Sequence, residues 1–245
     1  MEANALARNV PGLLLRPGAI RPCTDHGWLA SRHSFATEES GADARRRLGP
    51  LRVPDEQIIA PGEGHAARLH QDVEILLWVL EGALEHQDSG GNIAVVEPGE
   101  LARLRAGRGV RHSEYNASGR DPVHLLEFWI QPAARGLAPD FERRRFDEQQ
   151  RRSSLCLIAA GDAGEASVQI GQQVRIYAGL FDGAERDQLP AVAGCCYYAH
   201  CASGTLAVNG CALMAGDALE LHGIDGIDVG AGDGGELLLF ELPAP

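Results

Sequence analysis

The chain lacks any run of the roughly 20 apolar residues that a bilayer-spanning helix requires. Its N-terminal segment offers only the cluster GLLL (12–15), without the charged lead or the longer apolar core of a secretory signal. Cytoplasmic residence is the expectation, with no membrane partner. A basic surplus is also missing: 34 acidic side chains against 22 basic ones give a net charge of -12. Nucleic-acid affinity comes mainly from neutralising phosphates, so direct nucleic-acid binding is not expected. The six cysteines (Cys23, Cys156, Cys195, Cys196, Cys201 and Cys211) include no paired C-x-x-C. Cys195, Cys196 and Cys201 with His200 fit no common zinc spacing, so these thiols are read as small core hydrophobes.

What is present is the pattern of an all-β protein. Short apolar runs alternate with turn signals: IIA before PGEG, ILLWVL before EG, IAVV before EPGE, HLLEFWI before QP. In HLLEFWIQ, Leu126, Phe128 and Ile130 alternate with Leu125, Glu127 and Trp129, as a strand between two packed layers would. ILLWVL has no alternation and reads as a strand buried on both faces. With 30 glycines and 13 prolines, mostly at the breaks, the chain suits a sandwich or barrel rather than a helical bundle.

A weak internal repeat accounts for the length of 245 residues. EGALEHQDSGGNIAVVEPGELARL, from Glu81, parallels SGTLAVNGCALMAGDALEL, from Ser203. Each has a glycine turn (Gly82, Gly204), a hairpin turn (SGGN, NG) and a second tight turn (PGE, AGD). Each half then closes on a matching strand, HLLEFWIQP or ELLLFELPAP. Two tandem antiparallel barrels with few short helices are expected. The first would span 1–140 and carry the candidate site. Residues 141–152, FERRRFDEQQRR, would form a charged connector, and 153–245 a second barrel. TEESGADARRRLG (37–49) reads as a surface loop.

Two stretches of the first half gather metal-ligand residue types. One runs Arg68-Leu69-His70 to Glu74; the other is Arg111-His112-Ser113-Glu114-Tyr115-Asn116. Residues two apart on a strand share a face, so His112 and Glu114 project together. If the barrel sets that pair opposite His70, two imidazoles and a carboxylate converge, a donor set suited to non-haem Fe(II) with open positions.

In order along the chain, GWLASRHSF, GPLRV, APGEG, HQDVEI, VLEG, EHQDS, AGRGVRHSEYN and RRFD resemble the pirin family, two-domain members of the cupin superfamily. The resemblance runs from about Asp25 onward, is dense over residues 50–150 and is thin in the second half. It implies two cupin-type barrels and, in the first, a metal (usually iron) held by three histidines and one glutamate. Some members have quercetin dioxygenase activity; others are described as transcriptional co-regulators or as partners of metabolic enzymes. The second histidine falls on His70, the third on His112 and the glutamate on Glu114. The first falls on Arg68.

Arg68 departs from that pattern. A guanidinium has donors only and stays protonated, so it cannot ligate a metal, and its charge opposes a dication. Three arrangements follow. Arg68 pairs with Glu114 or Glu74 in a metal-free site; or His65, three residues upstream, swings in; or Arg68 points outward and leaves three ligands plus water. His86 is read as bridging a hairpin turn, His26 and His33 as packing residues, Trp78 and Trp129 as core aromatics, and Tyr115 and Asn116 as pocket rim. His200 and His222 match no ligand position, so the second barrel is read as structural.

Three functions remain compatible with these residues. The first is a dioxygenase of a small aromatic, enolic, flavonol-like substrate, with Fe(II) or another divalent metal at His70, His112 and Glu114. The second is a metal-free regulator that binds a protein partner. The third is a repurposed, specialised biosynthetic enzyme in which Arg68 clamps an anionic substrate or product. Glu114 and Arg68 are the candidate catalytic groups of the site.

Overall fold

A computed structural model describes residues 11–35, 47–162, 164 and 167–244. Most of the 37–49 loop therefore lies outside the described residues. The chain is built from antiparallel strands and divides into two compact units.

The first unit comprises Pro22–Phe146 and Val168–Gln172. After an initial strand β1 (Leu13–Arg16), its strands are β2 (Cys23–Asp25), β3 (Leu29–His33), β4 (Leu51–Ile59), β5 (Gly64–His70) and β6 (Glu74–Glu81). They continue with β7 (Leu84–Asp88), β8 (Ile93–Val96), β9 (Glu100–Arg105), β10 (Val110–Asn116), β11 (Val123–Ile130) and β12 (Asp140–Arg145). Seven of them form a sheet in the order β12-β9-β6-β11-β4-β3-β2, and four form a second sheet, β5-β10-β7-β8.

The core fills the space between these two sheets. Ile75, Leu77 and Val79 of β6 and Leu125 of β11 meet Leu84, Val96 and Val110 from the smaller sheet. Each such side chain contributes about 1.5–3 kcal/mol by leaving water. The other face of β6, with Leu76 and Trp78, is buried too, as the unbroken apolar run requires. β10 shows the complementary pattern: Val110, His112, Glu114 and Asn116 are buried, while Arg111 and Tyr115 are exposed. Alternation thus turns one hydrophobic and two ligand-type side chains into the barrel interior.

The pairing of β5 with β10 contains a β-bulge. His70 lies opposite Val110 and Arg68 opposite His112, but Glu114 then faces His65 rather than Ala66. The extra residue on β5 lets His65 share the interior face with Glu114. Gly64 permits the close approach: a Cβ there would lie 2.2 Å from the Glu114 carbonyl oxygen.

The second unit joins residues 11–21 to Asp147–Ser167 and Gln173–Pro245. After a short helix α1 (Glu148–Arg151) come β13 (Cys156–Ala160), β14 (Val168–Gln169, counted with the first unit), β15 (Arg175–Phe181) and β16 (Arg186–Pro190). β17 (Cys195–Val208), β18 (Cys211–Met214), β19 (Ala218–His222) and β20 (Gly226–Pro243) complete the chain. Its sheet runs β1-β19-β17-β20-β15-β13, with β16 on β20 and β18 on β17. The GLLL cluster is therefore a strand of this unit, paired with β19 from Leu13↔Leu221 to Arg16↔Ala218. Asn209 and Gly210 close the β17–β18 hairpin with φ of 48° and 77°, as a type I′ turn needs. Cys196, Cys201 and Cys211 are buried, and none of the six cysteines is bridged.

The charged stretch 141–152 is only partly a connector. Asp140–Arg145 is an edge strand on β9. Arg103 of β9 binds Asp140 at 2.7 Å and Glu142 at 3.2 Å, and Arg143 meets Glu100 at 3.1 Å. Charged residues are a usual covering for a sheet edge, which is why the composition resembles a solvated link.

Gly64→Ala is expected to force β5 away from β10 and to destabilise the protein by about 1–3 kcal/mol in urea unfolding. Gly119→Ala, where an added Cβ meets nothing within 4 Å, should stay within about 0.5 kcal/mol of the parent. Equal midpoints for the two variants would contradict the close approach described for Gly64.

Candidate metal centre

The interior face of the four-stranded sheet gathers the titratable side chains. His112 and Glu114 come from alternate positions of β10, and His86 of β7 stands directly opposite Glu114. His112 Nδ1 lies 3.1 Å from Glu114 Oε1, and His86 Nδ1 lies 4.0 Å from the same oxygen. One ligand atom from each of His86, His112 and Glu114 falls within 4.8 Å of the others, and among the described residues this is the one such group. His70 adjoins it, with its ring centroid 4.9 Å from that of His112 and its edge against Trp129.

Five buried atoms of this cluster have no hydrogen-bond partner: His70 Nε2, His86 Nδ1, both ring nitrogens of His112, and Glu114 Oε1. Buried polar atoms in folded proteins are nearly always paired. An unpaired imidazole costs about 1–3 kcal/mol and an unpaired carboxylate oxygen more, so five on one spot mark a place shaped for something else. Nitrogen and carboxylate donors in this number suit a divalent transition metal.

Electrostatics point the same way. Burial, then the neighbouring His112 and Arg68, lower His70 to about 4, so its imidazole is neutral at physiological pH. His65 is likewise lowered to about 4, by burial and then by Arg68. Burial works against ionisation of Glu114, but His112 and the other histidines outweigh it and hold the carboxyl below its ordinary value. A neutral imidazole and an ionised carboxylate are the forms that ligate metal.

Arg68 forms neither of the ion pairs that a metal-free site would use. Glu74 is taken instead by Arg105 at 3.0 Å and by the Gly171 N–H at 2.7 Å. Arg68 is exposed and makes no hydrogen bond or ion pair among the described residues. It borders a cleft of about 440 Å³ whose walls include Trp28, Trp129, His65, Gln57 and Glu127. That size lies within the range of small-molecule sites, about 300–1,000 Å³. His65 does enter the interior, placed by the bulge, but its Nε2 bonds Gln57 Oε1 at 3.1 Å.

Glu127 is a member of this region that the sequence reading did not single out. It receives hydrogen bonds from Gln57 Nε2 and Trp129 Nε1, each at 2.5 Å. Burial, and then the charge of Glu114, raise its pKa from 4.5 to about 7. The signal was available: a charged residue at an inward position of HLLEFWI. His86 was also readable, since it shares a strand face with apolar Leu84. It is fully buried, and its Nε2 lies 3.4 Å from Asp88 Oδ2; Asp88 holds the hairpin turn, accepting from the Gly90 and Asn92 N–H groups.

Trp78 is a core aromatic, as expected, whereas Trp129 lines the cleft. His26 and His33 line it too, with His33 Nδ1 2.9 Å from Asp55. Tyr115 faces outward. Asn116 is structural, its Nδ2 bonding the carbonyls of Ile59, Ala60 and Asp121. In the second unit, His200 is buried between Ala218 and Leu238 in the sheet, and His222 lies 3.4 Å from Glu220.

Two antiparallel β-units, one with an interior His/Glu cluster, define a bicupin. The Pirin family profile matches residues 18–130, and the profile for the quercetinase C-terminal cupin domain matches residues 157–242. Quercetin 2,3-dioxygenase of Escherichia coli (strain K12) is 34% identical over 231 residues, 94% of this chain and 99% of that protein. A putative quercetin 2,3-dioxygenase of Mycobacterium tuberculosis is 33% identical, over 94% of this chain and 95% of its own. The crystal structure of the E. coli bacterial pirin YhhW in complex with nickel(II) superposes with a TM-score of 0.89. It is 33% identical, and the match covers 95% of this chain and all of that one (100%). The chain belongs to the pirin family.

The Glu127 pKa gives stability a defined pH dependence. The unfolded chain loses this proton near pH 4.5 and the folded chain near pH 7, so stability falls as pH rises through that window. In chelator-treated protein, the stability of the parent minus that of Glu127→Gln should fall between pH 4.5 and 7 and level off above. A difference that stays flat across the window would refute the raised pKa.

Proposed function

We propose that this protein is a metal-dependent dioxygenase of a flavonol-type substrate, with a divalent metal, Fe(II), held by His70, His112 and Glu114. The observation that carries the reading is the set of five buried donor atoms without hydrogen-bond partners, beside an arginine that pairs with none of them. Its relatives named quercetin 2,3-dioxygenase, and the relative crystallised with nickel(II), supply the substrate class and the kind of ion. When bound, the metal supplies Lewis acidity and, if redox-active, an electron path to dioxygen.

The chain's own residues supply the rest. Trp28 and Trp129 give the cleft aromatic walls for a flat ring system. Arg68, at the cleft border, supplies a fixed positive charge for the enolate or phenolate form of the substrate. Glu127, whose pKa is raised to about 7, becomes in its ionised form a base matched to the proton of an acidic hydroxyl. The same arrangement serves any substrate that carries an acidic hydroxyl or carboxylate. The unpaired state of Arg68 favours this substrate-binding role over a vestigial site closed by an ion pair.

The test is metal analysis of protein purified without chelator, beside oxygen uptake with quercetin. Near-stoichiometric iron with quercetin-dependent uptake, both lost in His112→Ala, is the expected result. Metal-free protein that cannot be loaded and shows no uptake would overturn the reading. Arg68→Met should leave metal content unchanged and raise KM for quercetin about 10- to 100-fold, the worth of a charged hydrogen bond of about 1.5–3 kcal/mol. An unchanged KM would remove Arg68 from substrate binding.

A further inference from the structure

We infer that His86 is a metal ligand in this chain, supplying the imidazole that position 68 lacks. The inference rests on reading the barrel interior as a metal site, and adds a donor that the sequence motif does not contain.

The argument begins with the position. His86 is fully buried on β7, in register with Glu114 on β10, so both side chains enter the barrel at one level. Its ring is held flat against Phe141, with centroids 4.4 Å apart and planes 8° from parallel. The imidazole therefore has a fixed direction.

Its hydrogen bonding fixes which nitrogen is available. His86 Nε2 lies 3.4 Å from Asp88 Oδ2. The Asp88 carboxylate already accepts from the Gly90 N–H at 2.8 Å, the Asn92 N–H at 3.1 Å and Asn92 Nδ2 at 2.8 Å. A carboxylate so engaged is an acceptor toward the ring, which places the imidazole proton on Nε2. Nδ1 is left with a bare lone pair. This is the carboxylate–histidine arrangement that commonly orients metal-binding imidazoles.

That lone pair faces another acceptor. Nδ1 has no hydrogen-bond partner and sits 4.0 Å from Glu114 Oε1, which also has none. Two acceptors turned toward each other in a buried site repel unless a cation stands between them. His112 Nδ1 is 3.1 Å from the same oxygen, so three donors share one focus. Arg68, exposed and cationic, cannot contribute to it. His65 is committed to Gln57. His86 is thus the imidazole in place to raise the set to His70, His86, His112 and Glu114.

The experiment uses the full-length protein loaded with Ni(II), the ion found with the E. coli relative. X-ray absorption at the nickel edge counts coordinated imidazoles, and competition with a chelator measures affinity. The parent should show three imidazoles. His86→Gln should show two, with affinity at least about 10-fold weaker, and His65→Gln should keep three. Two imidazoles in the parent, or three retained in His86→Gln, would overturn the inference while leaving the metal site standing. Failure of the parent to take up Ni(II) would overturn the metal reading itself, and this inference with it. Should His86→Gln not fold, the parent count and the His65→Gln count still decide between three imidazoles including His86 and two without it.

Discussion

A protein interior tolerates buried acceptors only when something positive or protic lies between them. In this chain Glu114 Oε1 and the open nitrogens of His70, His86 and His112 are brought together on one sheet face. The first unit is arranged around that constraint. His86, His112 and Glu114 are buried, which strengthens any charge interaction among them. The second unit, with its own apolar core, has no comparable group among the described residues.

Strand register converts this constraint into a site. Alternation on β10 turns His112 and Glu114 inward, and pairing with β7 adds His86. The bulge on β5 adds His65 and leaves Arg68 opposite His112, with its side chain out in solvent at the cleft. The replacement of a ligand-type residue by arginine therefore changes the border of the cleft more than its depth. A guanidinium there lowers the pKa of the histidines beside it and, at the cleft border, remains close enough to meet an anionic ligand.

Much of this was legible in the sequence where local rules decide. The unbroken run ILLWVL is buried on both faces, His112 and Glu114 do share a face, and the glycine-marked turns recur in both halves. Other features depended on partners far along the chain. Nothing near Ala66 and Ala67 announces that the bulge would place His65 opposite Glu114. The Leu13–Arg16 strand pairs with residues about two hundred positions later, with no local sign of its partner. Asp140–Arg145 looked like a linker because an edge strand carries the same charges. Glu127 and His86 were visible as polar residues at inward positions, but burial alone gave them meaning.

The most direct test of an interior shaped for a cation is the unfolding midpoint of the full-length protein, with excess Ni(II) and with chelator. Binding confined to the folded state at about 100 times Kd adds about 2.7 kcal/mol. The midpoint should therefore rise clearly with Ni(II), and the rise should vanish in Glu114→Gln. Equal midpoints with and without the metal would contradict the claim that these buried donors converge on a metal.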